Sequence, residues 1–432
     1  MFGWGKMQFY KNNLPKSEPL DFDDNIEAPK TSRKKRLIIG IVIILLVAVA
    51  VVAWLVLSRN RATKTASTPT TNKSQATAPT SQPERLRLIA TGDTIAHDAI
   101  NKAAKKPDDG TYDYYQFMKN MQPFFDKSDV RFCNQAVPGG GEEHGISGYP
   151  VFNSPTAVAD GLNKLGCNVI NTGTNHTFDK GQPVIDSWLK HWDSLPNVLA
   201  VAGANRSKEE QNKLRYFTQK GVRFAFLSYT TYTNSPPANS YGLNMYSEQV
   251  AAKQLREARN NADVVLVSMR WGTEYSSNVN TQQQTIAQFL SDNGADIVFG
   301  HGPHVLQPVK QVTSKDGQRQ TLVWYSLGNF MNAQLETEAL VNGVATMDID
   351  VKSKKITDIS LMPIYMHYEW TAEQKARQDL LSRHSFALYP LDKATDQLKK
   401  SQLNTTVEAQ RDRLLKVLGQ DSPVKLIDSS QY

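Results

Sequence analysis

The sequence predicts an α/β body, with helices outside a central β-sheet, carried behind one membrane-spanning segment. Two observations predict it. From Arg85 onward, short β-branched runs alternate with stretches of helical period, the pattern of sheet strands covered by helices. Before them, Leu37 to Leu57 (LIIGIVIILLVAVAVVAWLVL) carries no charge. At about 1.5 Å rise per residue it can cross a hydrocarbon core of about 30 Å.

The elements follow in chain order. Lys30, Arg33, Lys34, Lys35 and Arg36 precede the apolar span, and Arg59, Arg61 and Lys64 follow it. The denser basic flank stays inside the cell. Residues 1–36 therefore read as a cytoplasmic tail, 37–57 as an uncleaved signal anchor, and the main body as extracellular at a cell membrane. Residues 58–84 are almost all Ser, Thr, Ala, Pro, Gln and Asn and predict a disordered tether. The formal charge of +7 resides in these flanks: residues 1–36 contribute +3 and 58–85 contribute +4, while the 36 basic and 36 acidic residues from Leu86 onward cancel. Basic flanks suit anionic headgroups, and a neutral body gives no support to nucleic-acid binding.

Strands are expected at RLRLIATG, DVRFCN, CNVINTG, VLAVAGA, VRFAFLSY, ADVVLVSM, ADIVFGH and TLVWYSLGN, several of them apolar on both faces. Helices are expected at YDYYQFMKNMQPFF, SPTAVADGLNKLG, VIDSWLKHW, SEQVAAKQLREARNNA and TQQQTIAQFLSDNG, the last closing on Asn293-Gly294. VATMDIDVK and ITDISLMPIY have no helix between them and predict an antiparallel hairpin. Residues 371–432 read as a polar helical extension, with Thr405 and Glu408 at capping-box spacing and a stop at Gly419. Cys133 ends one apolar run and Cys167 begins another. In parallel strands these positions fall at opposite ends, so two unpaired buried thiols are expected.

In α/β sheets ligands bind beyond the carboxyl ends of the strands. Asp93 follows the first run, Asn134 the second, Asn175-His176 the third, Arg270-Trp271 the sixth, His301 and His304 the seventh, and Asn329 the eighth. Imidazole and carboxylate emerging on one edge suit a divalent metal such as zinc, manganese or iron. Each residue also has a plainer reading. Asp93 can cap a helix, Asn175-His176 can form a self-bonded turn, the two histidines can bond to backbone, and Arg270 can pair with Glu274.

The motifs GDTIAHD, NQAVP, NTGTNHTFDKG, SMRWGTEY, GHGPHVLQPVK and YSLGNF, in this order, resemble the CapA family of poly-γ-glutamate capsule-synthesis proteins. That family looks like a membrane-anchored relative of the calcineurin-like metallophosphoesterases. The resemblance covers about residues 86–365 and implies a four-layer αββα sandwich over 85–370 with two metal ions at the strand ends. It implies metal ligands at Asp93, Asn175, His301 and His304, with His176 beside them to orient or protonate a leaving group. Two departures stand out. Ala136 occupies the place of a family glutamate, and Arg270 that of a family histidine. Neither offers a lone pair to a metal, so one ion or none is expected rather than two. Arg270 then takes a catalytic or anion-binding role, with Arg270, Trp271 and Asn329 contacting substrate. Glu142, Glu143 and His144 in the GGGEEHG loop are candidates for replacement ligands, although a charged glycine-rich loop is ordinarily just solvated.

Two functions fit these expectations. One is a bacterial cell-envelope protein that binds an anionic extracellular polymer of the poly-γ-glutamate type, works with membrane synthase subunits, and serves the polymer's synthesis, export or attachment. The other is an active metal-dependent phosphoesterase or amide hydrolase acting on a phosphorylated or similar envelope substrate.

Overall fold

The computed structural model describes residues 84–432. The expected cytoplasmic tail, the 37–57 anchor and the tether up to residue 83 lie outside the described residues. Among the described residues no helix is long and apolar enough to cross a membrane.

Four strands open the first sheet: β1 (Arg85–Thr94), β2 (Val130–Gln135), β3 (Val169–Asn171) and β4 (Ala200–Ala202). The next six build a second sheet: β5 (Arg215–Gln219), β6 (Val222–Thr230), β7 (Val264–Arg270), β8 (Ile297–His301), β9 (Val309–Thr313) and β10 (Gln320–Trp324). The chain then returns to the first sheet with β11 (Asn329–Met331), β12 (Val341–Asp350), β13 (Ile356–Glu369), β14 (His384–Pro390) and β15 (Lys425–Leu426). The first sheet runs β14-β13-β12-β1-β2-β3-β4, with β11 beside β1 and β15 beside β13; the second runs β5-β6-β7-β8-β10-β9. β1 to β4 are mutually parallel, as are β6, β7, β8 and β10. The expected hairpin is β12 against β13, antiparallel.

Side-chain alternation explains the layers. Phe132 of β2 meets Phe299 of β8 at 4.6 Å and Phe226 of β6 at 5.8 Å between ring centroids, so one face of each sheet packs on the other. The alternate residues of the second sheet, Ala225, Leu227, Val265 and Val267, form a separate core. Helices α1 (Glu248–Asn261) and α2 (Thr281–Asp292) cover it with Ala251, Leu255, Ile286 and Leu290. This puts a sheet pair inside and helices outside, an α/β sandwich.

Three local expectations change. YDYYQFMKNMQPFF is not one helix but short turns at Tyr115–Met118, Lys119–Met121 and Gln122–Asp126. Pro123 sits at the start of the last piece, since it has no N–H to continue a helix entering from Met121. Residues 371–432 are not only helical. His384–Pro390 is β14, an antiparallel edge strand on β13, with Phe386 and Leu388 turned inward. The later helix, α3 (Val407–Leu418), is capped by Thr406 rather than Thr405, its side chain accepting from the Ala409 N–H, and stops at Gly419 as expected. The extension shares the main core through Leu388, Leu398, Leu414 and Leu418.

The cysteines are the clearest correction. Cys133 and Cys167 form a disulfide with Cα atoms 5.8 Å apart. The expectation of free thiols placed Cys167 inside a strand. β3 begins only at Val169, and Cys167 belongs to the turn after Gly166 (φ +109°). That left-handed glycine folds the turn back so that the thiol reaches its partner.

Candidate functional site

Register alone gathers the candidate residues. In the first sheet Asn329, Asp93, Asn134 and Asn171 stand side by side on β11, β1, β2 and β3. In the second, Thr230, Arg270 and His301 stand side by side on β6, β7 and β8. The sheets face each other, so both rows border one cleft at the strands' carboxyl ends. β1 carries one extra residue against β2 between Ala90 and Asp93. Such a bulge re-aims a side chain.

Asp93 is 1% exposed. Its carboxylate accepts from Asn134 Nδ2 at 2.5 Å and from His304 Nδ1 at 2.8 Å. Burial would push this carboxyl up, but the His304 hydrogen bond and the nearby Arg270 guanidinium hold it below the ordinary range. His304 sits on the Gly302-Pro303-His304 turn with φ +61°. A non-glycine residue there is uncommon and is a mark of functional geometry. The His304 Nδ1 also lies 3.2 Å from Asn329 Oδ1, and Asn329 Nδ2 donates to Gln334 and to the Ala339 carbonyl. Asn329 is therefore an orienting residue for His304 and not the open substrate contact expected of it.

His301 is fully buried and lies parallel to Phe132 at 5.5 Å. Neither of its ring nitrogens has a hydrogen-bond partner. Burial pushes its imidazole down to about 4, with Asp93 raising it and Arg270 lowering it further. It is neutral at pH 7, with a lone pair to offer.

Asn175 and His176 leave β3 on a turn held by threonines: Thr177 Oγ1 donates to the Thr172 carbonyl at 2.7 Å and accepts from the Thr174 N–H at 2.9 Å. The self-bonded turn and the site are thus one feature. His176 Nδ1 is 2.7 Å from Asp179 Oδ2, an oxygen that also accepts from the Phe152 N–H. Asp179 is a site residue that reading strand ends missed. Its signal was the three-residue spacing in NHTFD.

Arg270 lies at the centre, 2% exposed. Its Nε donates to Asn175 Oδ1 at 2.8 Å, its Nη2 lies 3.1 Å from Glu274 Oε1, and the guanidinium sits 5.0 Å from the Tyr232 ring centroid. The pairing with Glu274 raised as an alternative is present. Yet Glu274 is 44% exposed at its side chain, and the same Oε1 lies 3.8 Å from His304 Nε2. A carboxylate oxygen therefore stands between Arg270 and His304 at the mouth of the cleft. Gly302 makes room for the guanidinium: a Cβ there would fall 1.5 Å from Arg270 Nη1, at φ +112°. Gly302→Ala is expected to expel Arg270 from its place, with a strain cost of about 1–3 kcal/mol and loss of anion binding at the site. Thermal melting and anion titration of the variant check this; wild-type values in both would refute the cradle.

Trp271 needs correcting as a substrate contact. It is fully buried, stacks on Tyr325 at 5.9 Å, and gives its indole N–H to the Tyr325 carbonyl. Next to an inward Arg270, the following residue points to the other face of its sheet. The GGGEEHG loop is also occupied elsewhere, with His144 Nε2 2.8 Å from Ser187 Oγ and Glu142 bonded to the Tyr112 hydroxyl.

These residues do not fit a two-ion centre. Ala136 presents a methyl group, the Asn175 carbonyl is taken by Arg270, and Asp93 is taken by Asn134 and His304. His301 keeps both ring nitrogens unbonded, its Nδ1 lying 3.7 Å from Asp93 Oδ1, while His304 Nε2 lies beside Glu274 Oε1 at 3.8 Å. With the Asp93 carboxylate already bonded and His304 beside Glu274, His301 alone falls short of the three or more protein ligands that held ions take. Among the described residues no three His, Cys, Asp or Glu side chains are gathered as a cage.

Comparison with known proteins agrees with the motif order. The family model described as "Bacterial capsule synthesis protein PGA_cap" matches residues 87–334, a span that contains every candidate site residue. The chain is similar to the PGA biosynthesis protein CapA of Bacillus subtilis (strain 168), 32% identical over 174 residues, 39% of this chain and 44% of that protein. It is also similar to the capsule biosynthesis protein CapA of Bacillus anthracis, 31% identical over 208 residues, 44% of this chain and 48% of that one. The chain spans about half the length of these curated relatives. Among solved structures, a phosphatase from Mycoplasma pneumoniae aligns with TM-score 0.39 and 11% identity over 66% of this chain and 95% of its own. With more than half of its length matched by the family model, the chain belongs to the bacterial capsule synthesis protein PGA_cap family.

Proposed function

We propose that the protein is a membrane-tethered extracellular component in the synthesis, export or attachment of an anionic envelope polymer, and that its cleft binds a carboxylate or phosphate on Arg270 in place of a metal pair. The observation that carries this reading is the Glu274 carboxylate oxygen, 3.1 Å from Arg270 Nη2 and 3.8 Å from His304 Nε2. It marks where an incoming anion is received, and a half-exposed side chain is readily displaced. A guanidinium fork matches carboxylate and phosphate alike. The two curated relatives are named for capsule and PGA biosynthesis, which supports the polymer context. The disulfide supports an oxidising compartment for the body.

Elemental analysis of the purified full-length protein is expected to give at most one transition-metal equivalent per chain. Two equivalents would refute the depleted site. The tether reading predicts that the protein resists alkaline extraction from membranes and that protease added to intact cells releases the body. A soluble, shortened protein from untreated cells would refute the anchor.

A second reading is hydrolysis of an envelope substrate. It is favoured by the His176–Asp179 pair, a carboxylate-oriented imidazole at 2.7 Å of the kind that handles a leaving-group proton. Turnover of phosphodiester or amide model substrates that is lost in His176→Ala would support it.

A further inference from the structure

A second feature borders the cleft and lies partly outside the family match. Between α3 of the C-terminal extension and the chain after His304 runs a groove of about 590 Å³. Its walls include Tyr275, Val305, Lys310, Glu338, Arg413 and Lys416. Tyr275 stands between the two sites. Its ring lies 5.8 Å from that of His304 on one side, and it lines the groove on the other. Val305 directly follows His304 in the same wall.

The charges in the groove are unusual. Lys310, Arg413 and Lys416 stand in no ion pair among the described residues, and neither does Glu338, the only carboxylate in the lining. Arg413 and Lys416 are three apart on α3 and so share a face. Leu414 and Leu418, both buried, anchor the helix. Arg413 is held by neutral partners, Nε donating to Gln410 Oε1 at 2.7 Å and Nη2 to the Val341 carbonyl at 2.5 Å. Burial pulls its guanidinium below the ordinary range, with Glu338 alone working the other way. A fixed, half-buried cation whose hydrogen bonds go only to neutral partners is costly unless an anion comes to it.

We propose that this groove is a second anion-binding site, and that it takes the continuation of a linear polyanion whose leading acidic group is held at Arg270. The extension then acts as part of the binding surface, forming the far wall of a track that starts at Arg270, passes Tyr275 and ends on Lys416. The track rests on the reading of Arg270 as an anion site. The groove's own affinity does not.

The test is titration calorimetry on the full-length protein in detergent with three probes: glutarate as a single short dianion, a ten-residue polyglutamate, and inorganic polyphosphate. Wild type is expected to bind a long probe at least tenfold more tightly than glutarate. Lys310→Glu with Lys416→Glu changes two exposed side chains that the cleft does not use. It is expected to weaken a long probe tenfold or more and leave glutarate unchanged, with an unaltered melting temperature. If both long probes bind the double variant as they bind wild type, the groove proposal is overturned. Arg270→Ala separates the two ideas. If it leaves glutarate binding intact while the lysine reversals still weaken the long probes, the Arg270 reading fails and the groove stands.

Discussion

Arg270→Ala is expected to lower affinity for a small carboxylate or phosphate ligand by about thirtyfold or more. The guanidinium is 2% exposed, so its attraction for an anion acts where water screens little. Truncating one member of a desolvated charge pair costs about 2–5 kcal/mol, and about 1.4 kcal/mol corresponds to a tenfold change in affinity. Removal also leaves the Asn175 carbonyl without its 2.8 Å donor, next to an Nδ2 that is already unpartnered. Stability should therefore fall with affinity. Arg270→Lys separates the effects, since it keeps a charge but not the planar fork that reaches Asn175 and Glu274 together. It should fold better than the alanine variant and still bind poorly. Titration with glutarate and with inorganic phosphate checks both. Arg270→Ala binding either ligand at wild-type strength would end the proposal for this cleft.

Much of this site was legible because parallel strands put their last residues in one place. Asp93, Arg270, His301 and His304 each follow an apolar run, and sheet register sets the first three in two facing rows. What strand ends cannot show is which way a side chain turns or what it is bonded to. Trp271 follows Arg270 and reads as part of the same site, yet alternation sends it into the core. Asn329 reads as a ligand contact and proves to be a strut for His304, because its amide is spent on Gln334 and Ala339. Asp179 was hidden in a turn where a carboxylate is ordinarily a solvated group. The fold shows the same division. Strands with strong apolar character are legible in order, whereas β14 is not, because HSFALYP is short and opens on the polar His384 and Ser385. Its period-two pattern, with Phe386 and Leu388 inward, was present within a stretch whose composition favours helix.

The second large effect concerns the Cys133–Cys167 bond. Cys133→Ala with Cys167→Ala is expected to destabilise folding by about 3–4 kcal/mol, the chain entropy restored to an unfolded loop of this length. The bond closes a separation of 34 residues and joins β2 to the turn that leads into β3. Those two strands carry Asn134 and Asn171, and Asn171 Nδ2 donates to Asn134 Oδ1 at 2.8 Å while Asn134 holds Asp93. Loosening the β2–β3 junction therefore reaches the cleft through a chain of side-chain hydrogen bonds. Both sulfurs are buried, at 0% and 1% residue exposure, so reductant added to the folded protein meets them only after opening. The double variant is the cleaner probe. Its denaturation midpoint should fall, and its affinity for glutarate should weaken by less than that of Arg270→Ala. Thiol labelling of unfolded, unreduced wild type should find no reactive cysteine. Two labelled thiols per chain, together with an unshifted midpoint in the double variant, would show that the bond is not formed in the protein and that β2 and β3 are held by packing and backbone pairing alone.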